Sequence, residues 1–169
     1  MVNIREFLKH MIVAIATVSV SMVVQAQEPP LAAGEILYKG TTKLEKCDEV
    51  IFSFVLNEKK DTVKHFKVEL NGIYINRNGN LTKTSTVIKY FGTFGGTFIT
   101  RECEAKNGGV DCTQSADGDK FKIIIKQGLG NDIVKGEFNF VYVVSRSPWQ
   151  VENLGTAPIE FKRVQTKQE

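Results

Sequence analysis

The sequence predicts an all-β domain, an antiparallel β-sandwich of about eight or nine strands, and three observations predict it. Apolar residues alternate with polar ones along most of the chain, the period of a strand with one buried face. Pairs of Asn or Asp with Gly punctuate the chain at short intervals. Beyond residue 26 no stretch carries a helical period. A small closed β-barrel is the alternative that the same pattern allows, because a barrel also buries one face of every strand.

Residues 1–26 read as a secretory signal peptide. Arg5 and Lys9 precede the apolar run Met11–Val24, and Val24-Gln25-Ala26 supplies a small-residue cleavage site. The run is 14 residues long, whereas a helix needs roughly 20 to cross a bilayer core. The expectation is therefore cleavage, with no stable membrane span in the mature chain and a destination in the periplasm or outside the cell. Cleavage leaves 143 residues, the size of one domain that can bury about two-thirds of its unfolded surface. Residues 27–34 hold two prolines and small side chains and read as a flexible lead-in. The domain proper is expected over 35–164, with a tail at 165–169. Loss of Arg5, Lys9 and Glu6 turns the net charge of +3 into +2, too little to point to nucleic acid. All three methionines lie within residues 1–22, so the mature chain lacks thioether ligands for a soft metal.

Each element follows from local pattern. Val50, Phe52, Phe54 and Leu56 share one side of an extended segment, and Phe66, Val68 and Leu70 do the same after the polar turn 57–62. The two segments form a hairpin with one face in the core, and His65, Lys67 and Glu69 point to solvent. Asn78-Gly79 marks a second hairpin, because both central positions of a tight two-residue turn need positive φ. A strand over about 84–91 follows, then glycines 92, 95 and 96, then a strand over 97–103. Phe121, Ile123 and Ile125 alternate with Lys120, Lys122 and Lys126; Phe138, Phe140 and Tyr142 share a face in the run 134–144. Ile159 and Phe161 are the inward pair of a closing strand over 156–164.

Three cysteines in an exported chain put disulfide formation in play. If Asn107-Gly108 forms a two-residue turn, Lys106 faces Gly109 and Cys103 faces Cys112. Counting outward, the cysteines fall in a non-hydrogen-bonded pair with α-carbons about 4.5 Å apart, at the short end of the disulfide range of about 4.4–6.8 Å. A Cys103–Cys112 bridge is predicted, with Cys47 left as the odd thiol.

No catalytic residue stands out. His65 is the single histidine after residue 26 and reads as a surface side chain. No phosphate loop, paired-histidine metal motif or nucleophile elbow is present, and no metal or cofactor is implied. Asp117-Gly118-Asp119 reads as a hydrophilic turn in preference to a calcium loop, since the twelfth position from Asp117 is Gly128 and not a bidentate Glu. Two features qualify as a binding surface. One is the aromatic and glycine run 90–98, with Tyr90 and Phe94, where core packing of Phe91 and Phe98 around a bent strand or bulge is the favoured alternative. The other is Trp149, in the connection before the last strand, where an aromatic ring can stack on a sugar or a partner, with a lid over the end of the sandwich as the favoured alternative. The lysines 120, 122, 126 and 135 form a stripe on the solvent face, read as edge protection, with an anionic glycan or a membrane surface as the alternative partner.

Tyr38-Lys39-Gly40 followed by a Phe-rich strand, and the late run Lys135-Gly136-Glu137-Phe138-Asn139-Phe140, resemble secreted bacterial immunoglobulin-like β-sandwich domains of unknown function. No functional residue carries over from the resemblance; the leading expectation is a non-catalytic exported domain that binds a protein or carbohydrate at the cell envelope or outside it. A small-ligand carrier built as a barrel around an apolar cavity, and a carbohydrate-active enzyme using paired carboxylates, are the competing readings.

Overall fold

The computed structural model describes residues 31–164 except 78, 85, 92, 95, 96, 99, 100 and 147, with the side chains of 77, 93, 94, 97 and 98 also left out. The signal peptide expected at 1–26, residues 27–30 of the expected lead-in and the tail 165–169 lie outside the described residues.

Alternation makes the strands. β1 (Ile36–Leu44) and β2 (Cys47–Leu56) bury Tyr38, Phe52 and Phe54 on one side and form an antiparallel hairpin in which Tyr38 faces Phe54. β2 pairs in turn with the long β3 (Thr62–Arg77), as expected, with Val50 opposite Leu70 and Phe52 opposite Val68. Its register slips between Ser53 and Val55. The slip is a bulge at His65, whose φ is 55°, and it shifts the buried positions from Val63 to Phe66, Val68 and Leu70. His65 stands on the outer side with Lys67 and Glu69, as expected, but like them it is half-buried and not fully solvated; burial and the neighbouring Lys64 lower its pKa. β4 (Asn80–Lys83) pairs back along the far end of β3, Arg77 opposite Asn80, and Gly79 has φ 84°; Asn78 of the expected turn lies outside the described residues.

The middle of the chain is more broken than its pattern suggests. β5 (Val87–Phe91) pairs with Phe66–Leu70 of β3, and the two-residue β8 (Cys103–Glu104) pairs with Thr62 and Val63 further along the same strand. Between them β6 (Thr93–Phe94) and β7 (Thr97–Phe98) pair only with each other. β5 and β8 are thus one strand interrupted by an inserted hairpin.

β9 (Val110–Ala116), β10 (Asp119–Ile125), β11 (Ile133–Arg146) and β12 (Trp149–Arg163) complete the chain as an antiparallel meander. The Asp117-Gly118 turn between β9 and β10 has positive φ at both residues, the geometry of a tight hairpin. β12 then pairs with β1, Phe161 opposite Gly40.

The result is all-β: one antiparallel sheet of ten strands in the order β4-β3-β2-β1-β12-β11-β10-β9, with β5 and β8 added to β3 and the sheet not closed into a barrel. It folds over on itself as a sandwich. Phe52 on β2 lies 5.1 Å, centroid to centroid, from Phe121 on β10 and 4.8 Å from Phe138 on β11, although three strands separate β2 from β10 in the sheet. Nine fully buried aromatic rings, among them Phe54, Phe66, Phe91, Phe140 and Phe161, fill the interior. Offset and edge-on contacts between such rings add to their area burial. Tyr38 turns its hydroxyl out of this core to the loop before β11: it donates to the Asn131 carbonyl at 2.6 Å and accepts from the Gly130 N–H at 2.9 Å.

Where the sheet stays open, side chains join the two edges. Cys103 on β8 is disulfide-bonded to Cys112 on β9. Gln114 donates to the sulfurs of both cysteines, and the Arg101 guanidinium donates to the Ser115 carbonyl. At the other end of the seam Lys89 on β5 forms an ion pair with Asp119 on β10 at 2.8 Å.

Candidate functional site

The Asn107-Gly108 turn forms as expected, with φ 53° and 73° and reciprocal hydrogen bonds between Lys106 and Gly109. The hairpin ladder stops there. The Ala105 N–H donates to the Asp61 carbonyl, and β8 peels away to β3. Cys103 and Cys112 consequently bridge a diverging pair with α-carbons 5.7 Å apart, wider than the regular register predicts. Cys47 is buried; its thiol donates to the Glu49 and Asn71 carbonyls, and burial raises its pKa, the reverse of an activated thiolate.

Trp149 does not sit in a loop. It opens β12, opposite Arg146, and the next outward cross-strand pair is Val143 with Val151. Its ring lies against the Asp117-Gly118 turn: a β-carbon on Gly118 would collide with the outer carbons of the Trp149 ring and lie 2.8 Å from Val143 Cγ2. Glycine is required here twice, for its φ of 88° and for the ring it carries. Trp149 nevertheless keeps 57% of its surface exposed and Val151 48%. Arg146 and Asp117, 3.7 Å apart and both exposed, rim the ring. Further along the same outer face the Asn139 amide nitrogen lies within hydrogen-bond distance of Asn153 Oδ1, the Gly155 carbonyl and Thr156 Oγ1. The surface thus combines a propped aromatic face, two aliphatic neighbours and a polar border.

Beneath the turn lies an arrangement that the sequence reading missed. Asp119, 3% exposed, accepts the Val143 N–H at 2.8 Å through Oδ1 and pairs with Lys89 through Oδ2. The Lys89 ammonium also stands 6.0 Å from the centre of the Tyr142 ring. The two aspartates of the expected turn are therefore committed to protein cations, Asp117 to Arg146 and Asp119 to Lys89. Among the described residues no group of three or more His, Cys, Asp or Glu side chains is placed to hold a metal. Near the same end Glu152 bonds Lys46 at 2.8 Å, and that contact holds its carboxyl below the ordinary range, opposite to the shift that a glycosidase acid needs.

Tyr90 lies on the outer face of β5, opposite Lys67 of β3, whose ammonium stands 5.4 Å from its ring centre. Phe94 belongs to β6, and its side chain lies outside the described residues. Phe91, from the same run, is a core residue. Among the described residues no helix is long and apolar enough to cross a membrane. No family model, no curated protein and no solved structure matches the chain.

Proposed function

We propose that this protein is an exported, non-catalytic β-sandwich domain that binds a protein or a carbohydrate at the cell envelope or outside the cell, through the Trp149 surface. The observation that carries the reading is a tryptophan left more than half exposed while its position is fixed by a glycine that cannot be replaced without displacing it. Folded chains hide most of their tryptophan surface, and a rigid, exposed indole with polar neighbours is the side chain most often found carrying binding energy. An interior packed with aromatic rings favours contact at the outer face over carriage of a ligand inside. The Cys103–Cys112 bridge is compatible with an oxidising compartment, in keeping with the leader at residues 1–26 and with the likeness to secreted immunoglobulin-like domains.

The test is a screen of the purified protein against a glycan array and an envelope-protein fraction, run beside Trp149→Ala. The expected result is a ligand that the wild type retains and the variant loses. Ligands held equally by both proteins would refute a role for Trp149, and amino-terminal sequencing that finds residue 1 intact on the exported protein would refute cleavage.

A further inference from the structure

A second surface is built from charge. Because strand pairing fixes which residues stand side by side, one outward row crosses the sheet from β5 to β11: Tyr90, Lys67, Ser53, Lys39, Lys162 and Ile133. Neighbouring strands are about 4.8 Å apart, so the row is a single file of side chains that follows the curve of the sheet across six strands. Lys39 stands directly opposite Lys162. Like charges in that position repel, and among the described residues neither lysine has an ion-pair partner. The nearest acid in the pattern, Glu160, stands one level along, between Thr41 and Lys135, and among the described residues it forms an ion pair with neither Lys39 nor Lys162. Ser53 is buried between Lys67 and Lys39, so the line has a low point between two raised cations. At its far end the row runs into an open groove of about 710 Å³ whose walls include Ile133, Lys135 and Lys126.

We propose that this row and groove bind a linear anionic polysaccharide, its carboxylate, sulfate or phosphate groups seated between Lys39 and Lys162 and its chain continuing toward Lys135 and Lys126. An anion there removes the repulsion between the facing lysines and gains attraction from both, which is the charge complementarity that selects a partner. A polysaccharide is favoured over a bilayer because the charges stand in single file along a curved sheet, which a chain can follow and a flat membrane cannot. Between Tyr90 and Ile133 the row offers no large apolar side chain to enter a membrane. The proposal is separate from the Trp149 surface.

The experiment measures retention of the purified protein on immobilised polygalacturonate at low salt, with dextran as the neutral control and vesicles containing phosphatidylglycerol as the lipid arm. The expected result is binding to polygalacturonate alone, falling as salt is added. Lys39→Ala with Lys162→Ala weakens it at least tenfold. Lys59→Ala with Lys120→Ala, the same change in net charge elsewhere, leaves it within twofold. Lys162→Glu abolishes binding while raising the thermal midpoint, because the repelling pair becomes an attracting one, so loss of folding does not explain the loss of binding. Absence of low-salt binding, an equal loss in the control pair, or a preference for vesicles overturns the proposal. Loss on Trp149→Ala alone moves the ligand to the other surface and overturns it as well, without touching the proposed function.

Discussion

Replacing Tyr38 by Phe removes a single oxygen and tests how the central strand holds the loop ahead of β11. The ring stays: it is fully buried and stacks 5.2 Å from Phe54, so the packing of the core is unchanged. What goes is the hydroxyl that accepts from Gly130 N–H and donates to the Asn131 carbonyl. Two hydrogen bonds at about 1 kcal/mol net each put the loss near 2 kcal/mol. Water reaches the exposed Asn131 side of the loop and keeps the cost from rising to that of two fully buried orphans. For a domain of this size that corresponds to a fall in Tm of roughly 7 °C. The hydroxyl also titrates. Burial raises the Tyr38 pKa against the opposing hydrogen bond from Gly130. The unfolded chain therefore ionises first, near an ordinary tyrosine pKa of about 10. Below that pH the contribution is complete; above it, stability drains away toward the raised folded value, by up to about 1.4 kcal/mol per pH unit. Urea melts of wild type and Tyr38→Phe from pH 7 to 11 are the assay. The gap between them should be constant to about pH 10 and then narrow, because the variant lacks this titration. A gap below 0.5 kcal/mol at pH 7, or one that widens in alkali, would refute the reasoning.

Three further outcomes follow from the open seam and the Trp149 surface. Changing Cys103 and Cys112 to Ser together opens a ten-residue loop and should cost roughly 2.7 kcal/mol in the chain-entropy model, seen as a lower urea midpoint that dithiothreitol no longer affects. Asp119→Ala strands the Val143 N–H and leaves Lys89 unpaired; a loss of about 2 kcal/mol is expected, with faster hydrogen exchange at Val143 as the local readout. Gly118→Ala should cost about 1 kcal/mol for its positive φ and push the Trp149 ring aside, so that indole emission shifts while Lys59→Ala, on the β2–β3 turn beside the Gly130 loop, leaves it in place.

Much of this architecture was legible because it is local. Val50, Phe52, Phe54 and Leu56 point inward because their neighbours are polar or at a strand face, and Asn107-Gly108 turns because few other pairs tolerate positive φ twice. The Cys103–Cys112 bridge follows from that turn alone. Its geometry did not, since β8 abandons β9 for a partner some forty residues earlier in the chain. Long-range pairing of this kind leaves no trace in a window of ten residues. The same reason hid the interruption of one strand into β5 and β8, which raised the strand count from the expected eight or nine to twelve. The bulge at His65 was missed for a different reason. Val63 and Phe66 are both apolar and three apart, a break in the two-residue period that signals a bulge, but a histidine at positive φ gives no warning of it. Asp119 read as a turn residue because an aspartate beside Gly118 is ordinary there; its burial depends on Lys89, thirty positions away, and on a backbone N–H that no composition reveals.

The pairing of β1 with β12 places the opening and closing strands of the domain side by side in the middle of the sheet, Tyr38 facing Arg163. A ribosome delivers these partners far apart in time, so β1 can pair with β2 at once while its other edge waits, solvated, until β12 has emerged. Contacts so remote in sequence slow folding. For the exported protein proposed above, that delay would be an asset: the polypeptide would stay loose enough to pass a secretion channel, and its two halves would lock together only on the far side.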